Sequence, residues 1–269
     1  TTGARNTIIG YQAGEATTTA NDNTVMGYYA LGANSTGGSY TAIGSYALDA
    51  NTDAANGTAV GYGALTANTT AQYNVAVGAT AAGAVTTGAH NVGVGYSAMG
   101  AVTTDGDNTA VGNYSQGRLT GARNAFLGYQ AGYGASGGNA SDNVGVGYLA
   151  CGHDTIDGGH QNTCLGSRSG EGLTSGDNNV MIGYRAGDAT TTGAYQICIG
   201  YETDASGATT DDEVVIGKNL TGKGANTGFY GSSSIYNQSN TTAWNQVSDE
   251  RIKKNISNCT KGLDVINKV

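Results

Sequence analysis

The sequence predicts an all-β fold, a parallel β-solenoid or β-roll of about 13 coils. Three observations support this prediction: a glycine recurs with a 17-residue period, an aliphatic residue always precedes it, and an asparagine usually stands four residues before it. A fixed period of this length indicates stacked units, and it suits one solenoid coil but is too short for a helix pair. The recurring glycines are Gly10, Gly27, Gly44, Gly61, Gly78, Gly95, Gly112, Gly128, Gly147, Gly166, Gly183, Gly200 and Gly217.

The residues just before each glycine predict a short strand. In Asn108-Thr109-Ala110-Val111-Gly112 the threonine and the valine alternate with a small apolar residue, which is the period of a strand. Because the alanine between them is also apolar, both faces of the strand are expected to be buried. A single coil covers only one face, so we expect identical chains to cover the other. We expect a homotrimer because fibres of this kind are usually threefold.

The residues after the glycine predict a second short strand, turned from the first at the glycine, where a positive φ is expected. Tyrosine follows the glycine in eight copies, and tyrosines one coil apart are expected to stack as a ladder. An exposed aromatic strip that binds sugar is the alternative for this column. The rest of each unit, for example 15–22 or 83–90, is rich in Gly, Thr, Asn, Ser and Asp and is expected to be surface loop.

Composition excludes several classes of protein. Only 12% of residues are charged, proline is absent and the net charge is −8. Residues 1–248 are acidic overall, which argues against a nucleic-acid partner. No apolar run is long enough to cross a membrane. The chain begins in mid-repeat, because Thr1-Thr2-Gly3-Ala4 matches the loop at 86–89, so further repeats are expected before it.

The four cysteines do not predict a disulfide framework. Cys164 and Cys198 occupy one repeat column two coils apart, about 9.5 Å, which is too far for an intrachain bridge. We expect buried free thiols in place of alanine, with a cluster of symmetry-related thiols at a fibre axis as the alternative.

The glycine period ends after Gly217, so the predicted domains are a solenoid shaft at 1–217, a neck at 218–247 and a different segment at 248–269. The neck is expected to hold one or two irregular strands. In the last segment, Thr260 is placed to cap a short helix that carries Leu263, Val265 and Ile266.

The stretch Ser248-Asp249-Glu250-Arg251-Ile252-Lys253-Lys254-Asn255-Ile256, followed by Gly262-Leu263-Asp264-Val265-Ile266, resembles the start of the endosialidase-type intramolecular chaperone domain. That domain ends many phage tail fibres and tailspikes, drives their trimerisation and usually cuts itself off between a serine and an aspartate. The resemblance implies that Ser248 is the nucleophile, Asp249 the first residue released and Lys253 the lysine needed for cleavage. A desolvated lysine is a suitable base for a serine hydroxyl. The alternative is a helix-start or turn signal.

The repeats at 1–217 resemble a second group. Units such as Asn108-Thr109-Ala110-Val111-Gly112 are similar to the head repeats of trimeric autotransporter adhesins, which implies left-handed parallel β-rolls assembled as trimers.

Other chemistry finds little support in the sequence. The acidic residues are scattered through loops, whereas glycoside cleavage needs two carboxylates across a groove. His153, Asp154, Asp157 and His160 share one loop but match no metal motif, so neither a metal nor a cofactor is predicted. An ice-binding solenoid needs an outward threonine array, but the regular threonine column is expected to face inward. The loop threonines at 17–19 and 190–192 are expected to be out of register.

The sequence therefore predicts a trimeric structural and adhesive fibre, a phage tail fibre shaft for host attachment, with no enzyme activity beyond self-cleavage at Ser248. A bacterial surface adhesin, or the non-catalytic part of a polysaccharide-degrading tailspike, is the alternative. The expected receptor is a cell-surface glycan or protein, and the expected location is the virion or the cell exterior. The long loops 132–142 and 151–161 are candidates for ligand contact.

Overall fold

The computed structural model describes residues 3–134, 138–152 and 158–231. Within these ranges the chain is all-β without a helix, and 14 strands form one parallel sheet in sequence order. The strands are β1 Thr7–Ile9, β2 Thr24–Met26, β3 Thr41–Ile43, β4 Thr58–Val60, β5 Val75–Val77, β6 Val92–Val94, β7 Thr109–Val111, β8 Ala125–Leu127, β9 Val144–Val146, β10 Thr163–Leu165, β11 Val180–Ile182, β12 Ile197–Asp204, β13 Glu213–Thr221 and β14 Thr227–Tyr230.

Equal positions of successive repeats stack on one another. Thr24 pairs with Thr41 and Met26 pairs with Ile43, and the same register holds across the steps of 16 and 19 residues. The predicted parallel β-solenoid of about 13 coils is therefore confirmed. Coils are numbered below by the strand that they contain.

The middle residue of each strand points into the coil and the two flanking residues point out. In β4, Ala59 is fully buried, whereas Thr58 and Val60 are only partly covered. The alternation was therefore predicted correctly, but in the single chain only one face of the strand is buried.

The glycine after each strand has two reasons to be glycine. At Gly61 the backbone φ is +136°, and a Cβ there would lie 2.4 Å from the carbonyl oxygen of Gly78 in the next coil. The predicted positive φ is confirmed. The close approach of the next coil adds a second constraint that no side chain satisfies.

The second strand predicted after the glycine is wrong for coils 1–11, where the chain makes successive turns. Non-glycine residues there adopt left-handed backbone angles, such as Tyr29 at φ 55° and Leu31 at φ 53°. These residues bend the chain too sharply for a strand, although hydrogen bonds to the next coil persist. Only β12 and β13 continue straight past their glycines, and they pair there through Thr203 and Leu220.

The segments predicted to be surface loops form a hydrogen-bonded side of the solenoid. The amide of Thr69 donates to the carbonyl of Thr86 at 3.0 Å, and Thr86 donates to Thr103 at 2.8 Å. Segments such as 83–90 contain no strand, and Thr87 is exposed, as predicted. Other side chains of these segments, including Asn34 and Val85, are fully buried, so the prediction missed their part in the core.

The recurring asparagines form a largely buried ladder, whose role could not be predicted from the sequence. Oδ1 of Asn91 accepts hydrogen bonds from the amide of Asn108 at 3.1 Å and from its Nδ2 at 3.2 Å. Nδ2 of Asn91 donates to the carbonyl of Asp105 at 3.0 Å, so each side chain joins the strand to the opposite side of the coil stack. The members of this asparagine ladder are Asn6, Asn23, Asn74, Asn91, Asn108, Asn124, Asn143, Asn162 and Asn179.

Large core side chains fit because a neighbouring coil carries glycine. Tyr40 replaces the ladder asparagine in coil 3, and a Cβ on Gly57, at the same position of coil 4, would lie 2.8 Å from the Tyr40 ring. Likewise a Cβ on Gly145 would lie 2.7 Å from the Phe126 ring. The thin core is therefore packed by compensation between adjacent coils.

The sheet continues beyond the last glycine of the period. The predicted shaft boundary at residue 217 falls inside β13, and β14 pairs in parallel with β13 through Val215 and Phe229. The predicted C-terminal helix and the segment 248–269 lie outside the described residues.

Candidate functional surface

The outward face of the sheet carries a continuous strip of uncharged side chains. These are the first and last residues of the three-residue strands and the equivalent positions of β12 and β13, here called the outer strip. Every last position is aliphatic, and Ile9 and Leu127 are 54% and 50% exposed. The larger exposed members are Ile9, Met26, Val77, Leu127, Val144 and Val146. A surface of this kind is suited to association rather than to chemistry.

The regular threonine column belongs to this strip, so the expectation that it faces inward is wrong. Thr7, Thr24 and Thr109 are exposed, because the coil interior accepts only the middle residue of each strand. The loop threonines are also in register, contrary to expectation. Thr86 Oγ1 donates to the carbonyl of Thr103 at 3.1 Å, and Thr174 donates to Thr191 at 3.0 Å.

Tyrosines form an exposed ladder beside the outer strip, immediately after the strand-ending glycines. Tyr129 and Tyr148 stack with ring centroids 5.7 Å apart, and Tyr184 and Tyr201 stack at 5.3 Å. The predicted stacking is confirmed. The members of this tyrosine ladder are Tyr11, Tyr28, Tyr62, Tyr96, Tyr129, Tyr148, Tyr184 and Tyr201.

Exposed ion pairs connect neighbouring coils just before the asparagine ladder. Arg5 donates to the two carboxylate oxygens of Asp22 at 2.5 and 2.6 Å, and Arg123 donates to Asp142 at 2.6 and 2.8 Å. The hydrogen bond from Arg5 lowers the pKa of the Asp22 carboxyl. These pairs contribute to the alignment of coils at the surface, where ion pairs stabilise little.

Two carboxylates near the end of the solenoid have shifted pKa values of opposite sign. Burial raises the pKa of Asp204 to about 6, and the neighbouring Asp188 carboxyl raises it further, against a hydrogen bond from the Ala189 amide. Burial works in the same direction on Glu213, but backbone amides that include Ser206 and Gly224 donate to it and hold its pKa below the usual value. Glu213 thus binds a loop to the last coils.

The described cysteines Cys151, Cys164 and Cys198 are free and buried, so the expectation of buried free thiols is confirmed for them. Burial raises the pKa of Cys164 well above its usual value, and the adjacent Cys151 thiol adds to the rise. Burial also raises the pKa of Cys198 to about 12. The Cys164 and Cys198 thiols are therefore protonated and suited to packing rather than to nucleophilic chemistry.

The residues that the sequence singled out for chemistry are mostly not described. Ser248, Asp249 and Lys253 lie outside the described residues, and so do His153, Asp154 and Asp157. His160 has a structural role, because its Nδ1 accepts a hydrogen bond from the Ser141 amide at 3.0 Å. Within the described ranges, no group of three His, Cys, Asp or Glu side chains is placed to hold a metal. The same ranges contain no helix long and apolar enough to span a membrane.

Comparison with protein-family models, with curated protein sequences and with solved structures finds no match to this chain.

Proposed function

We propose that this chain is the shaft of a homotrimeric structural and adhesive fibre, a phage tail fibre that attaches to its host. The coils are proposed to wind left-handed, as in the trimeric adhesin heads that the repeats resemble. The observation that carries the proposal is the outer strip, which is uncharged in every coil and still exposed in the single chain.

The size of the outer strip supports association along the whole shaft. Coils stack at about 4.8 Å, so 13 of them extend for about 58 Å, and the two outward columns are about 7 Å apart. The strip therefore covers about 400 Å², the size of the largest exposed apolar patch on a typical soluble monomer, which is often functional. Closed symmetry lets three copies bury this strip along one axis without leaving an open edge.

The end of the sequence supports the same proposal independently. The motif from Ser248 to Ile256 resembles a chaperone domain that trimerises fibres. We propose that Lys253 removes the Ser248 hydroxyl proton as Oγ attacks the carbonyl carbon before Asp249. The bond from this carbon to the Asp249 nitrogen breaks as the nitrogen takes that proton, so Asp249 is the first residue released, and water then hydrolyses the cyclic ester.

The association proposal is tested on the intact protein by light scattering, which gives its native mass. The wild type is expected at three times the chain mass. The double variant Val77→Glu/Val94→Glu places two charges in the outer strip and is expected to be monomeric. The control Thr87→Glu places a charge on an exposed side chain outside the strip and is expected to remain trimeric. A monomeric wild type would contradict the proposal.

Cleavage is tested separately by mass spectrometry of the denatured chain. The wild type is expected to be cut before Asp249, and Ser248→Ala is expected to be uncut. An uncut wild type that is still trimeric would support the fibre proposal and contradict the proposed self-cleavage. Activity of the full-length protein on capsular polysaccharide, absent from this chain alone, would favour the tailspike alternative.

A second candidate function follows from the outward threonine column. A flat sheet with regular threonine and aliphatic columns is the arrangement required of an ice-binding solenoid, and the inward orientation that argued against it does not hold. A monomeric wild type with thermal hysteresis that Thr24→Tyr abolishes would favour this function over the fibre.

A further inference from the structure

The tyrosine ladder is interrupted at four coils, and the interruptions are not equivalent. The residue after the strand-ending glycine is small or polar in coils 3, 5, 7 and 10, where Ser45, Ala79, Asn113 and Ser167 stand in place of tyrosine. Each interruption leaves a slot two coils wide between flanking tyrosines. The group that occupies each slot shows what the slot can accept.

In coils 3 and 7 the protein fills the slot with its own ring. Tyr46, the residue after Ser45, contacts Tyr28 at 5.4 Å with an interplanar angle of 82° and Tyr62 at 6.0 Å with an angle of 84°. Tyr114, the residue after Asn113, contacts Tyr96 at 5.2 Å and 85°. Both rings stand edge-on to these ladder tyrosines.

In coil 10 a guanidinium group takes the place of the ring. Arg168, the residue after Ser167, lies with its Cζ 6.0 Å from the centroid of the Tyr148 ring.

In coil 5 neither of the two residues after the strand-ending glycine has a ring or a long side chain. Ala79 forms the floor and Thr80 follows it, between Tyr62 and Tyr96, which are 59% and 47% exposed. Tyr62 contacts Tyr46 on the side of coil 3, and Tyr96 contacts Tyr114 on the side of coil 7. On the side of coil 5, Ala79 and Thr80 place no ring beside Tyr62 or Tyr96.

The width of the slot discriminates between flat and puckered rings. Two coil spacings put the flanking rings about 9.6 Å apart. A flat ring between them needs two contact distances of about 3.5–4.0 Å, which leaves about 2 Å unfilled. The edge-on rings in coils 3 and 7 fit the same width. A saturated, puckered ring fills the remainder when it lies parallel to the tyrosines.

The polar groups beside the slot suit a neutral, hydroxyl-bearing ligand. Thr80 Oγ1 donates to the carbonyl of Ala79 at 2.8 Å, so the 2.7 Å bond between Thr80 Oγ1 and Ser97 Oγ uses the Ser97 proton. Lone pairs on both oxygens remain to accept hydrogen bonds. No Asp, Glu, Lys or Arg lies between Asp53 and Asp105, so coils 4–6 offer no charge to an ionic ligand.

We propose that the Tyr62–Ala79–Tyr96 slot binds one pyranose ring of a neutral glycan. The tyrosines contact its two faces and Thr80 and Ser97 accept from its hydroxyls. This inference deepens the proposed attachment function and rests on that function for its biological use.

The test is saturation-transfer NMR on the intact protein with maltohexaose, cellohexaose and chitohexaose as probes. The wild type is expected to transfer saturation to at least one of them. Ala79→Tyr restores the commonest residue of this column and fills the slot, so binding is expected to weaken by at least about tenfold. Ser167→Tyr makes the same change in coil 10 and is expected to leave binding unchanged.

The outcomes distinguish the proposed saccharide slot from the proposed trimeric fibre. No transfer to any of the three probes, or equal binding by the wild type and Ala79→Tyr, would overturn the saccharide slot. Native mass is measured on the same samples. A trimer without a saccharide signal would reject the slot and retain the fibre, whereas a monomer that binds and loses binding with Ala79→Tyr would retain the slot and reject the trimer. A change of native mass in Ala79→Tyr would assign the slot to a neighbouring copy of the chain and so overturn the proposal.

Discussion

Oδ1 of Asn74 accepts a hydrogen bond from the backbone amide of Asn91, one coil later, at 2.8 Å. Nδ2 of Asn74 donates across the coil stack to the carbonyl of Gly88 at 2.8 Å. One buried amide side chain therefore satisfies two buried backbone groups that the strand hydrogen bonds leave unpaired. The bond from the next coil's amide recurs at all nine ladder asparagines and sets the register of the stack. The bond across the stack recurs at seven of them.

Asn91→Ala is expected to lower the free energy of unfolding by about 2–3 kcal/mol, because the Asn108 amide and the Asp105 carbonyl lose their buried partner. The measurement is urea unfolding followed by circular dichroism. Gln72→Ala, at an exposed position, serves as the control and is expected to change little. Equal stability of the two variants would contradict the structural role of the ladder.

Gly61→Ala and Gly63→Ala are expected to differ sharply, although only Tyr62 separates them. At Gly61 the new Cβ would lie 2.4 Å from a backbone oxygen at φ +136°, whereas at Gly63 the nearest atom is 3.7 Å away at φ +62°. We expect a loss of at least about 3 kcal/mol for the first and about 1 kcal/mol for the second. Urea midpoints of the two purified variants measure the difference, and similar midpoints would contradict the close approach of the coils.

Asp204→Asn is expected to stabilise the protein above pH 6. The pKa of Asp204 is raised to about 6 from its usual value of 3.8, so the folded state binds more protons than the unfolded state between these values. Stability from this group is therefore greatest at low pH and falls as pH rises through that window.

Asparagine reproduces the protonated form, so the melting temperature of Asp204→Asn is expected to exceed that of the wild type at pH 7.5. At pH 3.5 the difference is expected to vanish. Scanning calorimetry at both values measures it, with Asp212→Asn, at an exposed position, as the control. A difference that is independent of pH would contradict the raised pKa.

Cys164 and Cys198 are expected to resist alkylation in the native protein. Both thiols are fully buried, and burial keeps them protonated at pH 8. Iodoacetamide labelling followed by peptide mapping is expected to modify them only after urea is added. Native labelling of Cys198 at the rate of a free cysteine would show that the core of coil 12 is open.

The stacking of the coils could be predicted from the sequence, but which face of each strand points inward could not. Alternation in Thr58-Ala59-Val60 gives two faces without stating which one is inside. The interior is narrow enough that alanine or glycine often fills it, so the valine was left outside. A scale of hydrophobicity alone would place it inside.

The path of the chain after the glycine could not be predicted because ordinary residues adopt unusual backbone angles there. Leu31, Leu48 and Leu65 all have φ between 51° and 54°, a region normally left to glycine and asparagine. Their burial compensates for the strain. The role of Asn91 was equally hidden, since its partners belong to other coils. The self-cleavage assigned to Ser248, Asp249 and Lys253 stays a prediction.

Because the coils stack in register, the number of repeats sets the length of the solenoid. Removing or duplicating one whole 17-residue unit preserves the strand register and changes the length by about 4.8 Å, provided that compensating pairs such as Tyr40 and Gly57 stay in adjacent coils. The steps of 16 and 19 residues keep Val111, Leu127 and Val146 paired, so even uneven additions are absorbed away from the strands. A gene that encodes such a shaft can therefore adjust its reach in small, nearly neutral increments, without redesigning the fold.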